Sequence, residues 1–245
     1  MPHADIIAAT RIWLEKAVIG LNLCPFAKSV YVKDQVRIVV SDAPHMDAFL
    51  ETLDAELQLL ADTDPAITDT TLLIHPTLFA DFLLFNDFLE HAEAAPIDLG
   101  LDGVLQVASF HPQFCFADTD PNDPSNLTNR APYPTLHLIR EASIAKAVES
   151  FPNPEAIFER NIEVVNALGH AGWAALGIPS AVPPTYVGRG VLSRLEAVQS
   201  PNGAGVAKAE FRKKAQLLRS WLHSPSSEGG DGKAGRGGGW RRSES

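Results

Sequence analysis

Apolar residues fall along this chain in two kinds of block, short β-branched runs and longer segments with helical spacing. Residues 4–20, ADIIAATRIWLEKAVIG, place Ile6, Ile7, Trp13, Leu14, Ala17 and Val18 on one broad face and Arg11, Glu15 and Lys16 elsewhere. That spacing predicts an amphipathic helix ending at Gly20. LNLCPFAKS follows, where Pro25 lacks an N–H and biases Cys24 away from helical geometry, so an ordered turn or extended segment is expected. The run VRIVVS over 36–41 reads as a buried strand. Helical spacing returns over 46–61 at Phe49, Leu50, Leu53, Leu57 and Leu60. A second strand is expected over 70–75 and a third over 104–110. Between them 78–92 reads as a largely buried helix with Asp81, Asp87 and Glu90 on its wet side.

Strands alternating with helices of this length predict right-handed βαβαβ crossovers. The expected fold is α/β, a small and largely parallel sheet of three to four strands with helices packed on it. Residues 111–134 show no period, and a segment of that length inside a domain is either functional or misassigned. Residues 136–140 offer a fourth strand, after which Ser143 is placed to cap a helix. A last helix, 154–176, carries Ile157, Phe158, Ile162, Val165 and Leu168 on one face. Beyond Gly177 the composition shifts. The expected organisation is a globular domain over 1–177, a linker over 178–203, a basic amphipathic helix over 204–222 and a disordered low-complexity basic tail over 223–245.

Charge sharpens this division. The chain of 245 residues is 45% hydrophobic with a formal net charge of −10, unevenly spread. Residues 1–180 carry 9 Lys+Arg against 25 Asp+Glu, a net −16, and 181–245 carry 11 against 5, a net +6. An acidic body repels phosphate backbones, so no nucleic-acid partner is expected for residues 1–177. No apolar run approaches the roughly 18 to 20 residues that span a bilayer, and MPHADIIAATRIW has no leader pattern, so a cytoplasmic protein without a transmembrane segment is expected. Cys24 and Cys115 are too few for a disulfide framework and read as free thiols.

Candidate chemistry collects where the strands end, because loops and helix N-termini converge beyond the carboxyl ends of parallel strands. The second strand runs into His75-Pro76 and the third into Ser109-Phe110-His111-Pro112. A single such histidine is commonly a packed, hydrogen-bonded imidazole ahead of a proline. Two on neighbouring ends suggest a pair with acid, base or metal-ligand roles. The loop adds SNLTNRAPYPTLHLIRE, in which Arg130 and Arg140 are forks suited to an anion, His137 a third imidazole and Glu141 a carboxylate. The bland alternative has Arg130 tying the loop down through backbone carbonyls and Arg140 pairing with Glu141 or a surface acid. Cys24 is a nucleophile if a histidine or Lys28 lowers its pKa, and otherwise a small buried hydrophobe. No cofactor can be specified. A divalent metal on His75, His111 and His137 is one option, without support from any short HxH or HExxH spacing.

Several motifs occur in order, among them RIWLEKAVIGLNLCPFAKS, TTLLIHP, FNDFL, GVLQVASFHP, SNLTNRAPYPTLHLIREASI and FERNIEVVNALGHAGW. In these the chain resembles the bacterial family catalogued as domain of unknown function 1415, over about residues 5–177. The resemblance implies a bacterial domain and supplies no reaction. Its motif residues fall on Cys24, Pro25 and Phe26, on His75 and Pro76, and on Ser109 through Pro112. They continue at Asn129, Arg130, Pro132, Tyr133, Pro134, His137, Arg140 and Glu141. The leading expectation is a small enzyme acting on an anionic small molecule at the carboxyl edge of the sheet. In it His75, His111, Cys24 and Glu141 are catalytic, and Arg130, Arg140, His137, Asn129, Tyr133 and Ser109 bind the ligand. The alternatives are a non-catalytic metabolite- or metal-binding module and a partner-binding protein that uses the basic tail.

Overall fold

Thr70–Ile74 (β2) lies at the centre of a four-stranded sheet, its five residues all buried. Val36–Val40 (β1) pairs parallel to it in register Val36 to Thr70 through Val40 to Ile74. Leu105–Phe110 (β3) runs the same way but is separated from β2 by Thr135–Arg140 (β4), which is antiparallel to both neighbours. The order is therefore β1-β2-β4-β3. The α/β class and the sheet of four strands agree with the hydrophobic pattern, and the sheet is mixed because β4 enters it from the opposite edge. The computed structural model describes residues 1–117, 119–149 and 155–179. The expected linker beyond residue 179, the basic helix over 204–222 and the low-complexity tail lie outside the described residues.

Two crossover helices, Met46–Asp62 (α3) and Phe82–Asp98 (α4), cover one face of the sheet. Phe49, Leu53, Leu57, Leu60, Phe85, Phe88 and Leu89 pack there against Leu73, Leu105, Leu136 and Leu138. α4 starts later than its apolar run suggests because Asp81 caps it, accepting from the Leu83 N–H at 2.8 Å. Residues 78–81 are left as the loop that leads into it.

The other face carries His3–Trp13 (α1), which continues into a π-helical segment, Leu14–Ile19. One helix over 4–20 was expected, and the change to the wider π winding has no signature in the apolar spacing. Gly20 is its C-cap, and a Cβ there would clash with the Lys16 carbonyl oxygen. A short helix, Ala27–Val32 (α2), occupies part of the segment expected to be turn or extended. Ile6, Ala9, Trp13, Leu14 and Ala17 bury against Leu72, Ile74, Tyr133 and Ala131.

After β4 the chain enters Glu141–Glu149 (α5) directly, so Ser143 lies inside the helix and donates to Asp69 at 2.6 Å instead of capping. The last helix, Glu155–Ala175 (α6), is broken at Gly169, whose φ of 61° favours glycine. Asn161 and Arg160 of α6 clasp the turn before α2, donating to the Leu23 and Asn22 carbonyls at 2.7 and 2.8 Å.

Candidate functional site

β1, β2 and β3 point the same way, so Ser41, His75 and His111 share one edge of the sheet. His75 and His111 flank Pro134 on either side of the start of β4, two strand spacings apart, roughly 10 Å. Both follow a residue on the α1 face, Ile74 or Phe110, so strand alternation turns them to the α3–α4 face. There they join a chain of aromatic rings. His75 packs edge-on against Phe49 and Phe79 at 5.3 and 6.1 Å between centroids, and His111 lies 5.2 Å from both Phe82 and Phe85.

The two imidazoles make the same pair of hydrogen bonds. His75 Nδ1 accepts the Leu78 N–H at 2.9 Å and its Nε2 reaches the Ala43 carbonyl at 2.9 Å. His111 Nδ1 accepts the Gln113 N–H at 3.0 Å and its Nε2 reaches the Phe79 carbonyl at 2.8 Å. An Nδ1 that accepts leaves the proton on Nε2, so both rings are neutral in this arrangement. Each ring caps the turn that its proline begins and ties it back to the loop leaving the preceding strand. His75 and His111 are 3% and 0% exposed. Burial pushes the His111 imidazole down to about 4, against weaker opposition from the Phe79 hydrogen bond and the Asp81 charge; Arg130 nearby lowers it further.

The other expected site residues scatter by role. Arg130 donates from Nε to the Phe114 carbonyl at 3.2 Å and from Nη2 to the Pro121 carbonyl at 2.8 Å, folding the long loop around itself. Arg140 sits at the opposite edge of the sheet, where its Nη2 donates to the Leu60, Thr63 and Thr68 carbonyls. It thereby places a cation at the C-terminus of α3, where the helix dipole favours one. Glu141 is at that far edge too, its backbone N–H bonded to the Val104 carbonyl, and burial with the Asp102 charge raises its carboxyl. A β4 strand of six residues puts both about 17 Å from the histidine edge.

His137 belongs to the other face of the sheet. It pairs across β4 with Leu72 and Ala108, and its Nε2 lies 2.7 Å from Thr70 Oγ1. Thr70 donates its own proton to the Leu138 carbonyl, so His137 is the donor in that contact. The sheet itself therefore stands between His137 and the His75–His111 pair, and the three do not converge on one ion. Among the described residues no group of three or more His, Cys, Asp or Glu side chains could hold a metal.

Ser109 is buried on the α4 side, and Asn129 contributes its carbonyl to the His111 N–H at 3.2 Å. Tyr133 is buried beside Ile6 and Ile74, its hydroxyl 3.1 Å from Met1 Sδ, and burial raises its pKa. Cys24 N–H bonds to the Val18 carbonyl, and burial pushes the thiol up, away from the thiolate that a nucleophile needs.

Sequence reasoning passed over Asn126, which is wholly buried and organises the 111–134 loop. Its Oδ1 accepts from the Phe116 N–H at 2.8 Å and the Thr119 hydroxyl at 2.9 Å, and its Nδ2 donates to the Asp120 carbonyl at 2.9 Å. An amide inside Pro124–Asn129, a 3₁₀ turn capped by Asp123, was the available signal. The segment is thus an ordered loop held by Asn126 and Arg130.

Outside this edge, α3 and α4 form an acidic surface. Together they carry nine Asp or Glu and no Lys or Arg; one of the nine, Glu56, is buried and held by Arg37, and the other eight lie outside that pair. Burial, then the charges of Asp98 on α4 and Glu51 on α3, raises the Asp54 carboxyl, so acids of both helices act on it across their seam. Four large apolar side chains are exposed on the same helices, Met46, Leu59, Leu84 and Ile97, at 40 to 62%.

The family model described as "Protein of unknown function (DUF1415)" matches residues 5–175. No curated protein matches the chain, and no solved structure does.

Proposed function

The chain belongs to that family of unknown function, and from its own geometry we propose that the domain is a non-catalytic binding module whose working surface is the outer face of α3 and α4. One observation carries this reading: two adjacent helices carry, besides the buried Glu56 that Arg37 holds, eight carboxylates, no Lys or Arg, and four exposed large apolar side chains. Interleaved acid and apolar surface fits a basic amphipathic segment. The carboxylates steer and orient it while its apolar side cover Leu59, Leu84 and their neighbours. The groups that would act on a small anion are committed elsewhere. His75 and His111 bond to backbone through both ring nitrogens, and Arg130 and Arg140 bond to backbone carbonyls.

Titration of the full chain with a synthetic amphipathic peptide of alternating lysine and leucine blocks tests the reading. The variant E51K/D54K/D98K is expected to bind at least tenfold more weakly with no loss of melting temperature. Equal affinity in both proteins overturns the proposal. So does a small-molecule turnover that disappears in His111→Gln while the fold is retained.

A further inference from the structure

The acidic face and the basic end of the chain are complementary, and this inference rests on the binding-module reading above. Residues 204–222, AGVAKAEFRKKAQLLRSWL, carry Lys208, Arg212, Lys213, Lys214 and Arg219 against Glu210 alone. Val206, Phe211, Leu217, Leu218, Trp221 and Leu222 supply the apolar positions. Both halves of the required partner chemistry therefore occur within one 19-residue stretch of this chain.

We propose that residues 204–222 dock in cis on the outer face of α3 and α4, so that the chain covers its own binding surface until an external basic segment displaces it. Reach permits this. The body ends its described path at residue 179, on the α1 face, where Ile178 packs near Trp13 and Leu14. The 24 residues 180–203 span up to about 80 Å when extended, and a body of this size has a radius of gyration near 16 Å. A tether of that length gives an effective concentration on the order of millimolar, which favours the cis segment over a dilute external one. The contact is between opposite charges of −16 and +6 on the two parts of the chain, so salt weakens it.

Zero-length carbodiimide cross-linking of the full chain, prepared as an equal mixture of unlabelled and ¹⁵N-labelled protein, tests the proposal. Links from Lys208, Lys213 or Lys214 to Glu51, Asp54, Asp62, Glu90 or Asp98 are expected, within single-isotope pairs and lost at about 1 M salt. Mixed-isotope links overturn cis docking in favour of a second copy's segment, and links to other acids or none overturn the docking itself. The charge-reversed segment K208E/K213E/K214E is expected to bind the lysine–leucine peptide at least fivefold more tightly than the unaltered chain. If the binding-module reading fails, E51K/D54K/D98K leaves peptide affinity unchanged. If only the cis inference fails, that triple variant still weakens the peptide and K208E/K213E/K214E does not strengthen it.

Discussion

Two histidines at strand ends act here through both ring nitrogens on backbone partners, and that fixes what their loss should do. His111→Ala removes the Phe79 and Gln113 contacts and leaves a buried carbonyl and N–H unpaired. A loss of about 2 to 4 kcal/mol is expected in denaturant unfolding. The neutral ring also sets a pH dependence. The folded pKa of about 4 lies below the ordinary histidine value of 6.5, so the unfolded chain binds the extra proton first. His111's contribution is complete above pH 6.5 and is lost as pH falls toward 4, by about 3 kcal/mol for a shift of that size. In His111→Ala the slope of stability between pH 6.5 and 4 should flatten; an unchanged slope would mean that another group titrates there.

Strand alternation made part of this legible. His75 and His111 can be placed on a common edge from the βαβ pattern alone, and the structure puts them there. His137 between Leu136 and Leu138 also had a readable face, since neighbours two apart on the α3–α4 side force it to the other. What could not be read was the partner of each imidazole. Ala43 and Phe79 offer backbone carbonyls, and a carbonyl leaves no trace in side-chain chemistry.

At the scale of elements, each helix of the α3–α4 layer is secured at one end by a single side chain, one of them an arginine that first looked functional. Asp81 caps α4, and Asp81→Ala should cost about 1 kcal/mol. Arg140 gathers three carbonyls around the C-terminus of α3, and Arg140→Met should cost about 2 to 3 kcal/mol in the same assay. Helix and strand positions followed from period 3.6 and β-branched runs. Their ends did not, because caps such as Asp81 and merged boundaries such as β4 into α5 depend on single hydrogen bonds. The antiparallel entry of β4 was equally hidden, since pairing across 60 residues is set by packing and not by local pattern.

For the whole molecule, the uneven charge is the dominant fact. Asp54 is held up by burial and by Asp98 and Glu51, so its carboxylate is destabilising at neutral pH. Asp54→Asn should raise the melting temperature at low salt, with the gain shrinking as salt screens its neighbours. The gain should be larger in K208E/K213E/K214E than in the unaltered chain, where docking of 204–222 sets opposite charge beside Asp54; an equal gain in both would show that the segment does not engage it.

The place of β4 between β2 and β3 also governs the order in which a growing chain can fold. On the ribosome β3 emerges 30 residues before β4 (105 against 135), yet has no strand to join until β4 arrives to fill the gap. Until residue 140 is free, the sheet is limited to the β1–β2 pair with α1 and α3 packed on it, and β3 has no hydrogen-bonding partner. Assembly of the sheet is therefore delayed to a late stage of synthesis. A nascent chain stalled before residue 134 should be cleaved by protease in and around β3, and one stalled well past residue 175 should resist there.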